Sequence, residues 1–387
     1  VKFRKIIKNV KLLNPLNGFR LEAQPIEYRK DPLTGLWCRI NIKRAERVKQ
    51  ARLSPPAQDD DGQVQKASED LRAMIDKTKE RCFFCAENIE RDTPKFSEDI
   101  WPRFIGAKYS KRSERPIWKE GRLQMGQCLV FPNLFPFGQY HAVAIMSSQH
   151  YLALDGFTDQ MVIDNLTACR DYILAVYRNN PMARFPMYNW NHMPPSAASI
   201  VHPHVQVLID REPTSYEALL LKSSKEYCIK TGRNYWEEIV EEEQRLGQRF
   251  IHRDESLSCI ASFAPQGNRE VQIIFTGISS IAQLDKRRIA DFSRCVIKIL
   301  RSYKDMGVGS FNLSSFSGPI NEPLEYYSLN LKIISRPSLQ AYWTNDTGFM
   351  ERFQYESIVE QKPEDVAAGM RRFLKFGDPP AIVSGSG

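Results

Sequence analysis

Alternation of apolar and polar positions over 201–207 stands out within residues 189–210, NWNHMPPSAASIVHPHVQVLID. Read with period two, Val201, Pro203, Val205 and Val207 point one way while His202, His204 and Gln206 point the other. The pattern predicts a strand over 201–209 with an apolar packing face and an opposite face made of two imidazoles and an amide. A strand that needs only half-burial more often carries Thr, Lys or Glu on its polar side. Core packing does not account for this row.

The same reading places elements along the rest of the chain. Residues 1–20 read as an extension. A turn at Asp31-Pro32-Leu33-Thr34-Gly35 leads into a strand over 36–42 and a basic exit through Arg44 and Arg47. Residues 54–70, rich in Pro, Gly and Asp, read as a surface loop or mobile insertion. A strand pair is expected over 126–133 and 140–146. Helical spacing over 158–178 puts Met161, Leu166, Cys169, Ile173 and Val176 on one apolar face, and strands over 185–191 and 201–209 follow.

From Glu212 the order partly recurs. A charged helical region (214–247) precedes strands at 257–263 and 271–275, a helix over 284–304, and strands at 308–315 and 326–335. Its segment EEIVEEEQRLGQR reads as a solvated helix face. Strand pair, helix, strand pair, twice over, predicts an α+β fold made of two repeats, each an antiparallel sheet with helices packed on it. The first repeat spans 21–211 and the second 212–387. In the second copy, Ser328, Asn330 and Lys332 face as the histidine row does, so the chemistry is expected in the first half.

Composition narrows the function classes. A hydrophobic fraction of 42% and mixed charges describe a folded chain. No run approaches the roughly eighteen apolar residues of a membrane helix, and the basic N-terminal stretch lacks an uninterrupted apolar core, so neither membrane nor signal peptide is expected. The net charge of +8 favours anionic ligands. The basic residues are spread out and do not alternate with aromatics, so phosphorylated small molecules are preferred to nucleic acid. Eight cysteines at scattered spacings make no disulfide framework and point to a reducing, cytoplasmic setting.

Of six histidines, five (His141, His150, His192, His202, His204) fall in one stretch. Cys82-x-x-Cys85 is a two-thiolate chelate of the kind that seats both sulfurs on Zn²⁺, although the same spacing also marks redox sites or paired buried thiols. A tetrahedral site needs two more ligands, for which His150 and His202 are chosen. His204 is the candidate nucleophile: a neutral imidazole whose other nitrogen is held by a hydrogen bond can attack an α-phosphorus. Gln206, on the same face, can donate to a non-bridging phosphate oxygen, and Ser199 can supply a second such bond. The sequence assigns no role to His141 or His252, and His192 lies close to the site but could simply be a loop residue.

Asn191, seven residues, Ser199, two residues and then HPHxQ together resemble the active-site signature of galactose-1-phosphate uridylyltransferases, in the histidine-triad superfamily. DPLTGLW with Arg44-Ala45-Glu46-Arg47, Cys82-Phe83-Phe84-Cys85, Phe131-Pro132-Asn133-Leu134-Phe135-Pro136, and the segment holding Phe349-Met350, Tyr355-Glu356 and Gln361 resemble further motifs of that family, in the same order. The resemblance implies zinc on Cys82, Cys85, His150 and His202, and a covalent nucleotidyl group on His204. Ser199, Gln206 and Asn191 would surround the α-phosphate and Asn133 would touch the ribose. Arg44 with Arg47 would hold the phosphate of a sugar 1-phosphate. Tyr355, Glu356 and Gln361 would meet the sugar, in a homodimer whose sites are completed by the neighbouring subunit. The implied activity is ping-pong transfer of an NMP group from a nucleoside diphosphate sugar to a sugar phosphate or phosphate. Its rivals are a nucleotide-sugar or dinucleoside polyphosphate phosphorylase or hydrolase, and a non-catalytic nucleotide-binding zinc protein. The chain departs from the pattern at Ala197-Ala198, where the family has Gly-Cys, and at Val205, where it has Gly. Val205 is expected to crowd the phosphate or base. Asn330 and Lys332 replace second-half histidines, so no metal is expected there.

Overall fold

Two sheets organise the described residues, which in this computed structural model are 1–46, 60–97, 116–339 and 345–373. The chain opens on a hairpin of β1 (Arg4–Asn14) and β2 (Arg20–Lys30), paired along its whole length. The hairpin turns at Gly18, whose φ of 71° suits a residue without a Cβ. Residues 1–20, expected as an extension, therefore supply a full strand. β3 (Trp37–Ile40) follows a turn in which the Asp31 carboxylate accepts from the Leu33 and Thr34 N–H groups.

Helix α1 (Asp60–Lys79) begins inside the stretch expected as a loop, of which 54–59 lies outside the described residues. The Gln, Lys, Ala, Glu and Leu of this stretch favour a helix and outweigh Gly62 in propensity. Next come α2 (Ala86–Asp92), β4 (Ile117–Lys119), β5 (Arg122–Met125), β6 (Cys128–Pro132) and β7 (Tyr140–Ile145). Helix α3 (Asp159–Asn179) then precedes β8 (Phe185–His192), both close to their expected bounds, and β9 (His204–Asp210), which starts later than expected. Thr158 caps α3 by accepting from Met161 N, and Val162, Leu166, Cys169, Ile173 and Val176 form its buried stripe.

In the second half the charged region divides into α4 (Ser215–Thr231) and α5 (Tyr235–Leu246), broken at Gly232, whose φ of 72° closes the first helix. The acidic stretch is not wholly solvated: Glu243 is fully buried against Arg249. β10 (Phe250–Arg253), β11 (Leu257–Ala261), β12 (Val271–Phe275), α6 (Lys286–Asp305), β13 (Phe311–Phe316) and β14 (Asn330–Ser335) follow. A short α7 (Phe349–Phe353), β15 (Ser357–Val359) and α8 (Pro363–Phe373) end the described chain.

The large sheet runs β10-β11-β12-β14-β13-β8-β9-β7-β6-β5-β4, and its halves read β11-β12-β14-β13 and β6-β7-β9-β8 in mirrored order. The duplication is thus present, but the two repeats form one continuous antiparallel sheet, because β13 and β8 pair and so remove each other's open edge. Helices α3 and α6 cover one face, burying Leu166, Ile173, Val296 and Leu300 with Val205, Val207, Leu331 and Ile333. The other face carries the polar row.

The smaller sheet, β1-β2-β3-β15, is tied to the large one through Glu364 of α8. Its carboxylate accepts from buried Arg29 of β2 at 2.9 Å and from buried Arg249 at 2.9 Å. Burial opposes ionisation of Glu364, but these two guanidiniums outweigh it and hold the carboxyl at about 2, below its ordinary 4.5. A depressed carboxylate stabilises the fold fully above the unfolded value, and the contribution is lost as pH falls from about 4.5 toward 2. Glu364→Gln is expected to cost about 2–3 kcal/mol, because it leaves two buried cations each with a single carboxylate. A urea midpoint equal to wild type at pH 7 would refute this.

Candidate functional site

The site is built where β9 meets the turn ahead of α2 and the loop after β7. His202 precedes β9 and His204 begins it, so the strand is shorter at its start than the alternation suggests. Both rings nonetheless lie on one side, flanking Phe84, whose ring centroid is 6.0 Å from His202 and 5.4 Å from His204. Phe84 was not singled out in the sequence; its place between the two cysteines is the only signal of it.

Cys82, Cys85, His150 and His202 converge in a buried cluster, with their ligand atoms all within 4.8 Å of one another. The two thiols reach this point because the chain turns tightly at the end of α1 and Cys85 then caps α2, its carbonyl accepting from Asn88 and Ile89 N–H. Cys85 Sγ lies 3.5 Å from His150 Nδ1 and 3.8 Å from His202 Nδ1, and Cys82 Sγ lies 3.7 Å from His202 Nδ1. A tetrahedral ion with sulfur at about 2.3 Å and nitrogen at about 2.0 Å requires sulfur–nitrogen edges of roughly 3.5 Å.

The outer nitrogens settle the tautomers. His202 Nε2 lies 2.8 Å from the Ser147 carbonyl, which can only accept. His150 Nε2 lies 3.0 Å from Thr78 Oγ1, a hydroxyl within reach of the Met74 carbonyl at 2.8 Å as its own acceptor. Both Nδ1 lone pairs therefore face the sulfurs, as metal-bound histidines require. Burial pushes His202 down to about 4 and lowers His150, so both rings are neutral. Burial and the neighbouring Cys82 push the Cys85 thiol up to about 12. The donor set, the distances and the orientation fit a metal ion.

His204 Nδ1 lies 2.8 Å from the His202 carbonyl and must donate to it, which leaves the lone pair on Nε2. Burial lowers its pKa against the raising effect of that carbonyl, so the ring is neutral. The same residue that turns Nδ1 toward the thiols thus orients the next imidazole through its backbone.

Gln206 points where the alternation put it, and His141 on β7 is its missing partner. The Phe137 N–H donates to His141 Nδ1 at 3.3 Å, so His141 Nε2 carries the proton and donates to Gln206 Oε1 at 2.8 Å. Burial lowers the His141 pKa and keeps it neutral. With its oxygen taken, Gln206 presents its NH₂ group to the site. Asn133 lies beside the same pair, its Nδ2 3.2 Å from His141 Nε2 and its Oδ1 accepting from Phe135 N.

The 193–203 segment closes over the strand. Ala197 takes a left-handed backbone with φ of 67°, a conformation glycine adopts without strain. Ser199 is exposed, and Asn191 is half-buried with its Oδ1 accepting from Asn312. Val205 does not crowd the site, contrary to expectation: it is fully buried in the core opposite Ala144 and Trp190, because period two turns it away from His204. His192 is no loop residue; it ends β8, buried and stacked on Phe311.

The remaining expected residues gather around the small sheet. Arg44 lines a cavity of about 250 Å³ with Asn268, Asn345, Asp346, Thr347 and Glu360. Tyr355 is exposed, Glu356 is paired with Arg39 at 2.8 Å, and Gln361 is half-buried. Among the described residues no hydrogen bond joins these three to His204 or Gln206. Arg47 lies outside the described residues.

The mirrored sheet is a duplicated α+β fold, with a thiol–imidazole cluster beside its HPHxQ strand. It is the fold of an ADP-glucose phosphorylase from Arabidopsis thaliana solved with bound ADP-glucose, with a TM-score of 0.63 at 19% identity over 89% of this chain and 98% of that one. A GalT-like protein of the same plant gives 0.62 and a uridylyltransferase 0.59, each at 19% identity over 89% of this chain and 98% of its own. In sequence, an uncharacterized protein of Archaeoglobus fulgidus is 28% identical over 374 residues, 96% of this chain and 98% of its own. No protein-family model matches the chain.

Proposed function

We propose that the chain is a nucleotidyltransferase of the galactose-1-phosphate uridylyltransferase type. It moves an NMP group from a nucleoside diphosphate sugar to a sugar phosphate or phosphate through nucleotidyl-His204. The observation that carries this reading is the paired tautomer control at the site. His204 gives its Nδ1 proton to the His202 carbonyl and keeps a lone pair on Nε2, while His141 turns the Gln206 amide so that its NH₂ group is free.

In the first half-reaction Nε2 attacks the α-phosphorus and the bond to the β-phosphate oxygen breaks, releasing a sugar 1-phosphate with the electron pair. In the second, an acceptor phosphate oxygen attacks the same phosphorus and the P–N bond breaks, restoring neutral His204. Gln206 donates to a non-bridging oxygen as charge builds but, being an amide, carries no proton to a leaving group. Ser199 and Asn191 add donors at the α-phosphate, and Asn133 meets the ribose. Arg44 and Arg47 hold the sugar phosphate. Tyr355, Glu356 and Gln361 meet the sugar, contributed by the neighbouring subunit of a homodimer.

Zinc is the ion proposed for Cys82, Cys85, His150 and His202, where it supplies a rigid anchor for the His202 backbone. A reducing, cytoplasmic setting is proposed from the scattered spacing of the eight cysteines, which suits no disulfide framework. No helix of the described residues is long and apolar enough to cross a membrane. The working division is 1–20, 21–211 with the site, and 212–387.

A second reading, phosphorolysis of a nucleotide sugar, differs only in the acceptor. Its support is the likeness in fold to a phosphorylase solved with ADP-glucose. Intact-mass detection of a nucleotidyl adduct after mixing with ADP-, UDP- or GDP-sugars tests the common step, and an absent adduct with all of them refutes it. Discharge of the adduct by inorganic phosphate against sugar 1-phosphates then separates the readings. His141→Phe is expected to slow adduct formation about 10- to 100-fold and to add little in a Gln206→Ala background. Additive losses in the double variant would sink the orienting role of His141.

A further inference from the structure

The second repeat carries no HPHxQ row, yet its β13 lies against β8 at the centre of the sheet, pairing Asn312 with Asn191 and Ser314 with Asn189. Residues directly opposite on neighbouring strands point to the same face, and Asn189 is opposite Gln206. The four polar side chains of β8 and β13 therefore share the face of the candidate site.

Asn312 is fully committed. Its Nδ2 donates to the Ser196 carbonyl at 2.8 Å and to Asn191 Oδ1 at 2.6 Å, while its Oδ1 accepts from Arg336 Nη1 at 3.3 Å. Arg336 is itself held by Asp346 at 2.6 Å. A carbonyl only accepts, so the Ser196 contact decides which end of the Asn312 amide faces Asn191. That decides Asn191 in turn: its oxygen faces β13, and its N–H donors turn away from β13. Asn191 lies two residues along β8 from Asn189, and so shares the face of Asn189 and Gln206. Ser314 Oγ makes a parallel contact with Asn189 Oδ1 at 2.6 Å.

We infer that β13 of the second repeat is a positioning strand for the nucleotidyl site, and that Asn312 turns the Asn191 amide so that its N–H groups meet the α-phosphate. This rests on the proposed function and adds a requirement to it. The degenerate repeat is kept in the chemistry not by a nucleophile of its own but by setting the polarity of a donor in the first repeat. Without Asn312, the Asn191 amide is free to present its oxygen to a phosphate oxygen, which repels.

The test is a double-mutant cycle on the rate of nucleotidyl adduct formation, with ADP-glucose and UDP-glucose as probes. Its members are wild type, Asn312→Asp, Asn191→Ala and the double variant. Asn312→Asp sets a carboxylate oxygen against the Ser196 carbonyl and Asn191 Oδ1, so the Asn191 amide turns over. The expected result is a loss of about 10- to 100-fold in the wild-type background with KM moved less than about threefold, and a change of less than about threefold in the Asn191→Ala background. An equal loss in both backgrounds overturns the inference, since it would mean that Asn312 acts through packing or through its new charge. A rate within about threefold of wild type for Asn312→Asp alone also overturns it. If Asn312→Asp does not fold, Asn312→Ser takes its place in the same cycle, judged by the same comparison. A wild-type protein that forms no adduct with either probe overturns the proposed function and this inference together, which separates that failure from one seen only in the variants.

Discussion

Replacing His204 with alanine is expected to eliminate the proposed nucleotidyl adduct and to lower turnover by roughly 10⁴- to 10⁶-fold, the range expected when a covalent nucleophile is removed. The reason is specific to this ring. Its Nδ1 is spent on the His202 carbonyl at 2.8 Å, so the reactive lone pair lies on Nε2 alone, and burial keeps the ring uncharged. No other imidazole near it is equivalent. His202 is turned into the thiol cluster, His141 is spent on Gln206, and His192 is buried against Phe311. Stability should fall by about 1–3 kcal/mol, since the buried His202 carbonyl loses its donor, while the strand pairing with Ile145 stays intact. Intact-mass measurement after mixing with nucleotide sugars checks the loss. An adduct of unchanged yield in the His204→Ala protein would remove the basis of the mechanism.

Cys85→Ala is expected to cost more in folding than in chemistry. The cluster ties the start of α2, which belongs to neither sheet, to the loop after β7 and the residue ahead of β9, whose backbones already meet through the Met146 N–H and the Pro203 carbonyl. Loss of the ion should destabilise the protein by more than about 4 kcal/mol, as removal of a structural metal commonly does. Adduct formation should fall about 10- to 100-fold, because the His202 carbonyl that orients His204 is no longer anchored. Elemental analysis and thermal melting with and without chelator provide the check. A purified wild-type protein free of zinc, with a melting temperature that chelator does not move, would show that the cluster is only a set of buried thiols and imidazoles.

The thiol–imidazole cluster was largely legible in the chain because the information is local or scarce. Two thiols three residues apart are restricted to one turn, and few histidines were available to complete the set. The row of His204 and Gln206 was legible because alternation in a strand translates sequence directly into facing. His141 was not legible as a functional residue. Its partner Gln206 lies 65 residues away and meets it only because β7 and β9 pair in a particular register. The same holds for Glu364, which reaches Arg29 across 335 residues, and for Asn312, which reaches Asn191 across 121. Val205 marks the opposite case. Compared with a family motif it suggested a crowded pocket, whereas its own place in the alternation already turned it into the core.

By itself, then, the chain determined which side chains are chemically able to act and which face of a strand or helix each would take, since both follow from covalent structure and backbone periodicity. What only the folded molecule decided is the protonation and direction of those groups: which nitrogen of each imidazole holds its proton, and which end of each amide faces the site. These depend on a single carbonyl or N–H brought within about 3 Å by strands distant in sequence, and no local pattern encodes such a meeting.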